Sequence, residues 1–171
     1  MILRQLQMND RDDALQAQRE MALDGFDFLL DSMGTYSEDE PWETYLARLS
    51  SIKRGENVPA DWVPSTLLVA EVDGQIVGRV SIRHELNQYL ERTSGHIGVG
   101  VRPTARGLGY ATTIFLQSLD ITRELGLKKV LVTCDETNIA SSKVIERNGG
   151  ILENIINDAD GKKVKRYWIT F

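Results

Sequence analysis

Cysteine is nearly absent. The single Cys134 excludes an internal disulfide and supplies no metal-ligand spacing, so no metal is expected. No apolar run approaches the roughly 20 residues of a membrane span. The opening Met1-Ile2-Leu3-Arg4-Gln5-Leu6 soon turns acidic, unlike a leader with a basic start and an apolar centre; a cytoplasmic protein without a membrane partner is expected. No Gly-Lys-Ser/Thr follows a glycine-rich loop, which excludes a P-loop, and no third glycine completes a dinucleotide fingerprint. Basic residues are scarce at the start: Met1 to Tyr45 carries eleven acidic residues and three basic ones, the remainder fourteen acidic and seventeen basic. With a net charge of −5, nucleic acid is not an expected partner.

What is present is an ordinary globular composition, 42% hydrophobic and 26% charged over 171 residues, enough for one domain with a real core. Ile2 to Leu6 alternates as a short strand. Asn9 to Asp13 caps a helix whose apolar side is Leu15, Ala22, Leu23 and Phe26, broken at Gly25 and Met33-Gly34. A second helix is expected from about Ser37 to Ile52, with Pro41 in its first turns. Thr66–Val72 and Ile76–Arg83 flank the turn Asp73-Gly74, and His96–Val101 completes an antiparallel meander. A helix follows Gly107. Val130–Cys134 reads as a buried parallel strand, Ala140–Arg147 as a helix, and Ile151–Ile156 with Val164–Phe171 as a closing hairpin. The expectation is a single mixed α/β domain.

The chemistry concentrates where the meander meets the helix. Arg106-Gly107-Leu108-Gly109-Tyr110-Ala111-Thr112 puts two glycines between a strand and a helix start, where free amides and the helix dipole can grip a phosphate. In the preceding strand, alternation puts Gly98 and Gly100 on one face and Ile97, Val99 and Val101 on the other. A face without side chains admits a ligand or a bulky neighbour such as Trp42 or Trp62. Asn138 stands at a helix start, with Ser141 and Ser142 in the first turn. His84, Glu85 and His96 lie around the strand ends; each is a candidate base, and a structural role is the alternative. Cys134 reads as a small buried hydrophobe, and Tyr167 and Trp168 as core or pocket wall.

Arg106-Gly107-Leu108-Gly109-Tyr110-Ala111, read as Arg-x-x-Gly-x-Ala, resembles the pyrophosphate signature of the GCN5-related N-acetyltransferase (GNAT) superfamily, and Asn138-Ile139-Ala140 resembles its second signature. Ile76 to Trp168 is also similar to a bacterial branch of that family, through Arg-His-Glu-Leu-Asn, Gly-His-Ile-Gly and Arg-Tyr-Trp-Ile. The resemblance implies the acyl-CoA N-acyltransferase fold: a central, twisted, mixed antiparallel/parallel sheet flanked by helices. Residues 1–60 would form the acceptor side and 65–171 the acetyl-CoA-binding core. It implies acetyl-CoA as co-substrate, held by Arg106 to Thr112 and by Asn138 and Ser141. The backbone of Val99, Gly100 and Val101 would bond its pantetheine arm and polarise the thioester. It implies acetyl transfer to a primary amine by direct attack in a ternary complex.

Two departures stand out: Ile145 and Gly150 occupy positions where many members carry Tyr and Phe. The tyrosine that protonates the leaving thiolate is therefore missing, and Ser141, Ser142 or water would replace it. A non-catalytic acetyl-CoA sensor, another acyl-CoA donor or a hydroxyl acceptor, and a different nucleotide are the alternatives. The acidic N-terminal region suits a cationic acceptor such as a polyamine, aminoglycoside or lysine side chain, or is merely a solvated surface. An exposed closing hairpin would support a homodimer.

Overall fold

The structure, a computed structural model, describes residues 1–31 and 34–171; Met33 of the expected helix break lies outside the described residues. The elements run β1 (Ile2–Arg4), α1 (Arg11–Ala22), β2 (Leu30–Asp31), β3 (Gly34–Thr35), α2 (Trp42–Lys53), β4 (Ser65–Val72), β5 (Gln75–Arg83), β6 (Ile97–Val101), α3 (Tyr110–Glu124), β7 (Lys129–Asp135), α4 (Ile139–Arg147), β8 (Ile151–Asn157) and β9 (Lys163–Thr170). The principal sheets have strand orders β1-β4-β5-β6 and β7-β9-β8, and β2 pairs with β3. Every ladder among the described residues is antiparallel. The Val130–Cys134 strand, expected to pair in parallel, instead lies along β9.

Local sequence explains the elements. β4 is buried on both faces from Ser65 to Ala70, so it reads as an unbroken apolar run rather than an alternating one. Asp73 and Gly74 both take positive φ, 51° and 79°, the two-residue geometry that matches the twist of an antiparallel hairpin. α2 starts at Trp42, later than expected, because Pro41 occupies its N-cap and biases the residue before it away from helix. Glu40 accordingly closes a turn onto the Ser37 carbonyl at 2.9 Å.

The first sheet separates two cores. On one face Leu68, Ala70, Val80, Ile82, Ile97 and Val101 meet Ile114, Phe115 and Leu119 of α3, with Val130, Val132 and Ile145 behind them. On the other, Leu67 and Val69 meet Ala14, Ala17 and Met21 of α1 and Trp42 and Tyr45 of α2. Tyr36, Trp42 and Tyr45 pack as an aromatic trio with centroids 4.9–5.3 Å apart. Trp42 is thus core, its Nε1 donating to the Gln7 carbonyl at 3.0 Å.

The acidic N-terminal region docks through arginines. Arg102 donates to Asp13 at 2.5 Å, to Glu20 at 2.7 and 2.9 Å, and to the Ile76 carbonyl at 2.9 Å. Asp13 also accepts the Ile76 amide at 2.8 Å. Arg4 holds Asp10 and Glu71, Arg48 pairs with Glu40, and Arg106 pairs with Asp24.

The two principal sheets meet at a seam. The His96 amide donates to the Leu131 carbonyl at 2.7 Å, and the Leu131 amide donates to His96 Nδ1 at 2.9 Å. Gly95 allows this approach: its φ is +66°, and an added Cβ would lie 2.5 Å from the Leu131 carbonyl oxygen. Beyond this point β6 and β7 share no ladder among the described residues.

Arg102→Met strands two carboxylates and a carbonyl, and should cost about 2 kcal/mol of stability, read as a lower urea midpoint; an unchanged midpoint would show the network to be energetically idle. Burial, with Arg83 nearby, pushes the His96 imidazole below its ordinary value of 6.5, and burial with Lys53 does the same for His84. The unfolded chain therefore takes up those protons first as pH falls. Stability is full above about 6.5 and declines on acidification through the window between that value and the lower folded pKa values. The Asp10 and Glu20 carboxylates, held low in the fold, contribute losses only below their ordinary 3.8 and 4.5. Thermal melts between pH 7.5 and 5 should show the histidine slope. His96→Asn, whose side-chain oxygen can accept the Leu131 amide, should flatten it.

Candidate functional site

The seam creates a wedge. Bonds from the Arg83 amide to the His96 carbonyl and from the Arg102 amide to the Val77 carbonyl, at 2.8 and 2.9 Å, fix the alternation of the β5–β6 ladder. Gly98 and Gly100 therefore turn their backbone groups toward β5, while Ile97, Val99 and Val101 turn theirs to the open edge facing β7. The Val101 carbonyl on this edge accepts Arg106 Nε at 3.1 Å.

At the mouth of the wedge lies the glycine loop. Pro103–Ala105 forms a 3-10 turn, Gly107 and Gly109 take φ of 77° and 82°, and α3 begins at Tyr110 with Gly109 as its N-cap. The first helical bonds run from Thr112 and Thr113 back to the Gly109 carbonyl. The amides of Gly107, Leu108, Gly109, Tyr110 and Ala111 precede them without a partner among the described residues. A run of unbonded amides at a helix N-terminus is a receptor for anionic oxygens. Leu108 projects outward, and Arg106 is half-exposed in its 2.8 Å pair with Asp24.

Across the wedge, Asn138 caps α4: its Oδ1 accepts the Ser141 amide at 3.0 Å. Ser142 is buried, with Cys134 Sγ and Lys165 Nζ each 3.4 Å from its hydroxyl. Burial pushes the Cys134 thiol up, in keeping with an inert hydrophobe. Ile145 packs into the core, and an added Cβ at Gly150 would collide with it. A phenol reaches this region from another element. Tyr167 on β9 donates its hydroxyl to Glu146 of α4 at 2.9 Å, a pairing that sequence separation hid. Trp168, by contrast, carries Lys129 Nζ 4.3 Å from its ring.

The candidate bases are separated. His96 is buried in the seam; since Nδ1 accepts the Leu131 amide, Nε2 carries the ring proton and the neutral imidazole has no lone pair left. His84 is half-buried at the end of β5, its Nε2 2.8 Å from Thr66 Oγ1. Glu85 is exposed beside it.

The glycine face has an unexpected occupant. A Cβ at Gly100 would strike the Phe26 ring at 2.5 Å and Met21 at 2.8 Å, so the bulky neighbour is Phe26, not Trp42 or Trp62. The loop after α1 brings it there, whereas Trp62 lies half-exposed elsewhere. Next to Phe26 lies Arg79, opposite Gly100, and Arg83 follows four residues on along the same face of β5; composition and motif reading passed over both, and only their period-2 placement on the face of the two glycines could have signalled them.

The family profile described as "Acetyltransferase (GNAT) domain" matches residues 1–151. No curated protein sequence matches significantly. Among solved structures, the chain resembles ribosomal-protein-alanine N-acetyltransferase from Brucella melitensis, with a TM-score of 0.70, 18% identity and coverage of 100% of both chains. It also resembles a variant of spermidine N-acetyltransferase from Vibrio cholerae, with a TM-score of 0.64, 20% identity and coverage of 99% and 95%. A third is the acetyltransferase yncA from Salmonella typhimurium, solved with its cofactor acetyl-CoA, with a TM-score of 0.66, 16% identity and coverage of 99% and 93%. At such identities the structural likeness speaks for the fold, the acyl-CoA N-acyltransferase fold anticipated from the two signatures. Together with the profile match over most of its length, it establishes that the chain belongs to the GNAT acetyltransferase family.

Proposed function

We propose that the protein transfers the acetyl group of acetyl-CoA to a primary amine by direct attack in a ternary complex. The observation that carries this reading is the open β6 edge running into a loop of unbonded amides, Gly107 to Ala111. The loop suits a pyrophosphate, and Asn138 and Ser141 flank the arm from the start of α4. The Val99 and Val101 amides are oriented to bond the arm between the strands and to stabilise charge developing on a thioester oxygen. Residues 65–171 then form the cofactor core and 1–60 the acceptor side. The neutral amine attacks the thioester carbon; the C–N bond forms, the C–S bond breaks, and the amine's proton must leave. With the His96 lone pair engaged, His84 and Glu85 are the proton acceptors we retain. The thiolate is a good enough leaving group to manage without a strong acid.

The acidic N-terminal region gives little support to a cationic acceptor. Asp10, Asp13, Glu20, Asp24 and Glu40 are each paired with an arginine of the chain itself. A second reading, a non-catalytic acetyl-CoA sensor, draws on Ile145, which is core where the family places its acid.

Calorimetric titration of acetyl-CoA should give micromolar binding. A folded Arg106→Ala, Gly109→Glu variant, with a carboxylate put into the anion loop, should bind at least a hundredfold more weakly, whereas equal binding would remove the loop from the site. Release of the coenzyme thiol with an amine panel then separates enzyme from sensor. For the enzyme, the acidic limb of the rate profile should fall below pH 6.5 and be lost in His84→Gln.

A further inference from the structure

Arg79 is 5% exposed and Arg102 is 8% exposed, yet their surroundings are opposite. Arg102 has two carboxylates, Asp13 and Glu20. Among the described residues Arg79 has none bonded to it: one Nη donates to the Asp27 carbonyl at 2.7 Å, the Phe26 ring covers one face at 4.8 Å, and Nε is buried without a partner. Arg83, two strand repeats away on the same face of β5, makes a single 3.2 Å bond to the Gly95 carbonyl and has no carboxylate among the described residues. Burial, with repulsion from Arg83, pushes Arg79 down to about 10 against the attraction of the Tyr45 phenol and the Asp27 carboxylate. Burying a guanidinium with no carboxylate bonded to it costs stability, and such an arrangement persists where an anion completes it.

The floor beneath the pair carries two glycines: Phe26 and Met21 fill the space over Gly100, and only Arg83 approaches Gly98. Arg79 lies opposite Gly100 and Ser81 opposite Gly98, and Arg83 Nη1 is 3.8 Å from where a Gly98 Cβ would stand. Gly98 and Gly100 flank Val99, whose amide faces the wedge on the neighbouring edge. Arg79 therefore sits within a residue of the Val99 amide assigned to the thioester, and Arg83, opposite His96, lies three residues from it, both on the side covered by the N-terminal helices.

We propose that Arg79 and Arg83 form a carboxylate subsite, so that the acceptor is an amine that also bears a carboxylate, as an α-amino acid does. This rests on the acetyl-transfer reading above. The planar guanidinium fork suits a carboxylate in its own plane, which is where the unpartnered Nε points.

The test uses the full chain, Arg79→Met and Arg83→Met, with thermal melts of each. Free L-amino acids are compared as acceptors with their carboxamides and decarboxylated amines, by coenzyme thiol release. In parallel, thermal-shift titrations use N-acetyl-L-amino acids and their amides, which read carboxylate binding without turnover. The expected result is at least a tenfold preference in kcat/KM for carboxylate acceptors. In Arg83→Met, KM should rise about tenfold to a hundredfold with kcat little changed, the loss expected for one charge-assisted bond. Arg79→Met should melt at the same temperature or higher while losing acceptor affinity, because it removes a buried unpaired charge; a merely structural arginine would lower the melting temperature instead. Acetyl transfer indifferent to the carboxylate, or N-acetyl amino acids and amides shifting the melt equally or not at all, would overturn the subsite and leave the acetyltransferase reading intact. Failure of acetyl-CoA to bind, alongside a carboxylate-specific shift lost in Arg83→Met, would overturn the transfer reading while upholding the anion site.

Discussion

The bond pair between His96 and Leu131 is the constraint from which the site follows. A sheet that continued from β6 into β7 would satisfy every edge amide and leave nothing for a ligand. Joining the strands at one residue, through a side chain as well as the backbone, allows them to part immediately afterwards. His96 suits this position because a neutral imidazole accepts an amide hydrogen bond within an apolar core at small cost, and burial keeps it neutral. Gly95 suits it because its φ and the nearby Leu131 carbonyl leave no room for a side chain. The open edge of Val99 and Val101 is the consequence, and the unbonded amides of the glycine loop lie at its end.

A second set of interactions closes the acceptor side. The N-terminal helices bring carboxylates, and the strand ends and glycine loop bring arginines. Arg102 ties α1 to the turn after β6, and Arg106, within the phosphate signature itself, ties the loop to Asp24. Part of the charge imbalance along the sequence, at Asp13, Glu20 and Asp24, is thus a docking pattern between two parts of one chain.

Much of this was legible in the sequence because it is local. The turn at Asp73-Gly74, the glycine loop, the α4 cap at Asn138 and the parity of the β6 residues all follow from neighbours within a few positions. What sequence hid depends on distant pairing. The lone pair of His96 is occupied by a residue 35 positions away, so its proximity to the meander suggested a base where the fold has a joint. The occupant of the Gly100 face comes from the loop after α1, not from either tryptophan considered. The antiparallel partner of β7 comes last in the chain, so an apolar β-branched run suggested the wrong pairing direction. The Tyr167–Glu146 pair, likewise, joins a strand and a helix that sequence reading kept apart.

The two β5 arginines show how departures from stability rules locate chemistry. Among the described residues most buried polar groups have partners: Asp10 has Arg4, Arg102 has its carboxylates, and Tyr45 has the Leu29 carbonyl. Arg79 is an exception among the described residues; unlike Arg166, whose Nε is also unpartnered but which pairs with Glu153, it has no carboxylate bonded to it, and it lies on the face that carries Gly98 and Gly100. A hydrophobic residue there would complete the second core with Met21 and Phe26 at lower cost. Retaining a charge in that position is intelligible if its counter-ion arrives with the substrate, so that binding energy is gained where an amine must be placed against a thioester.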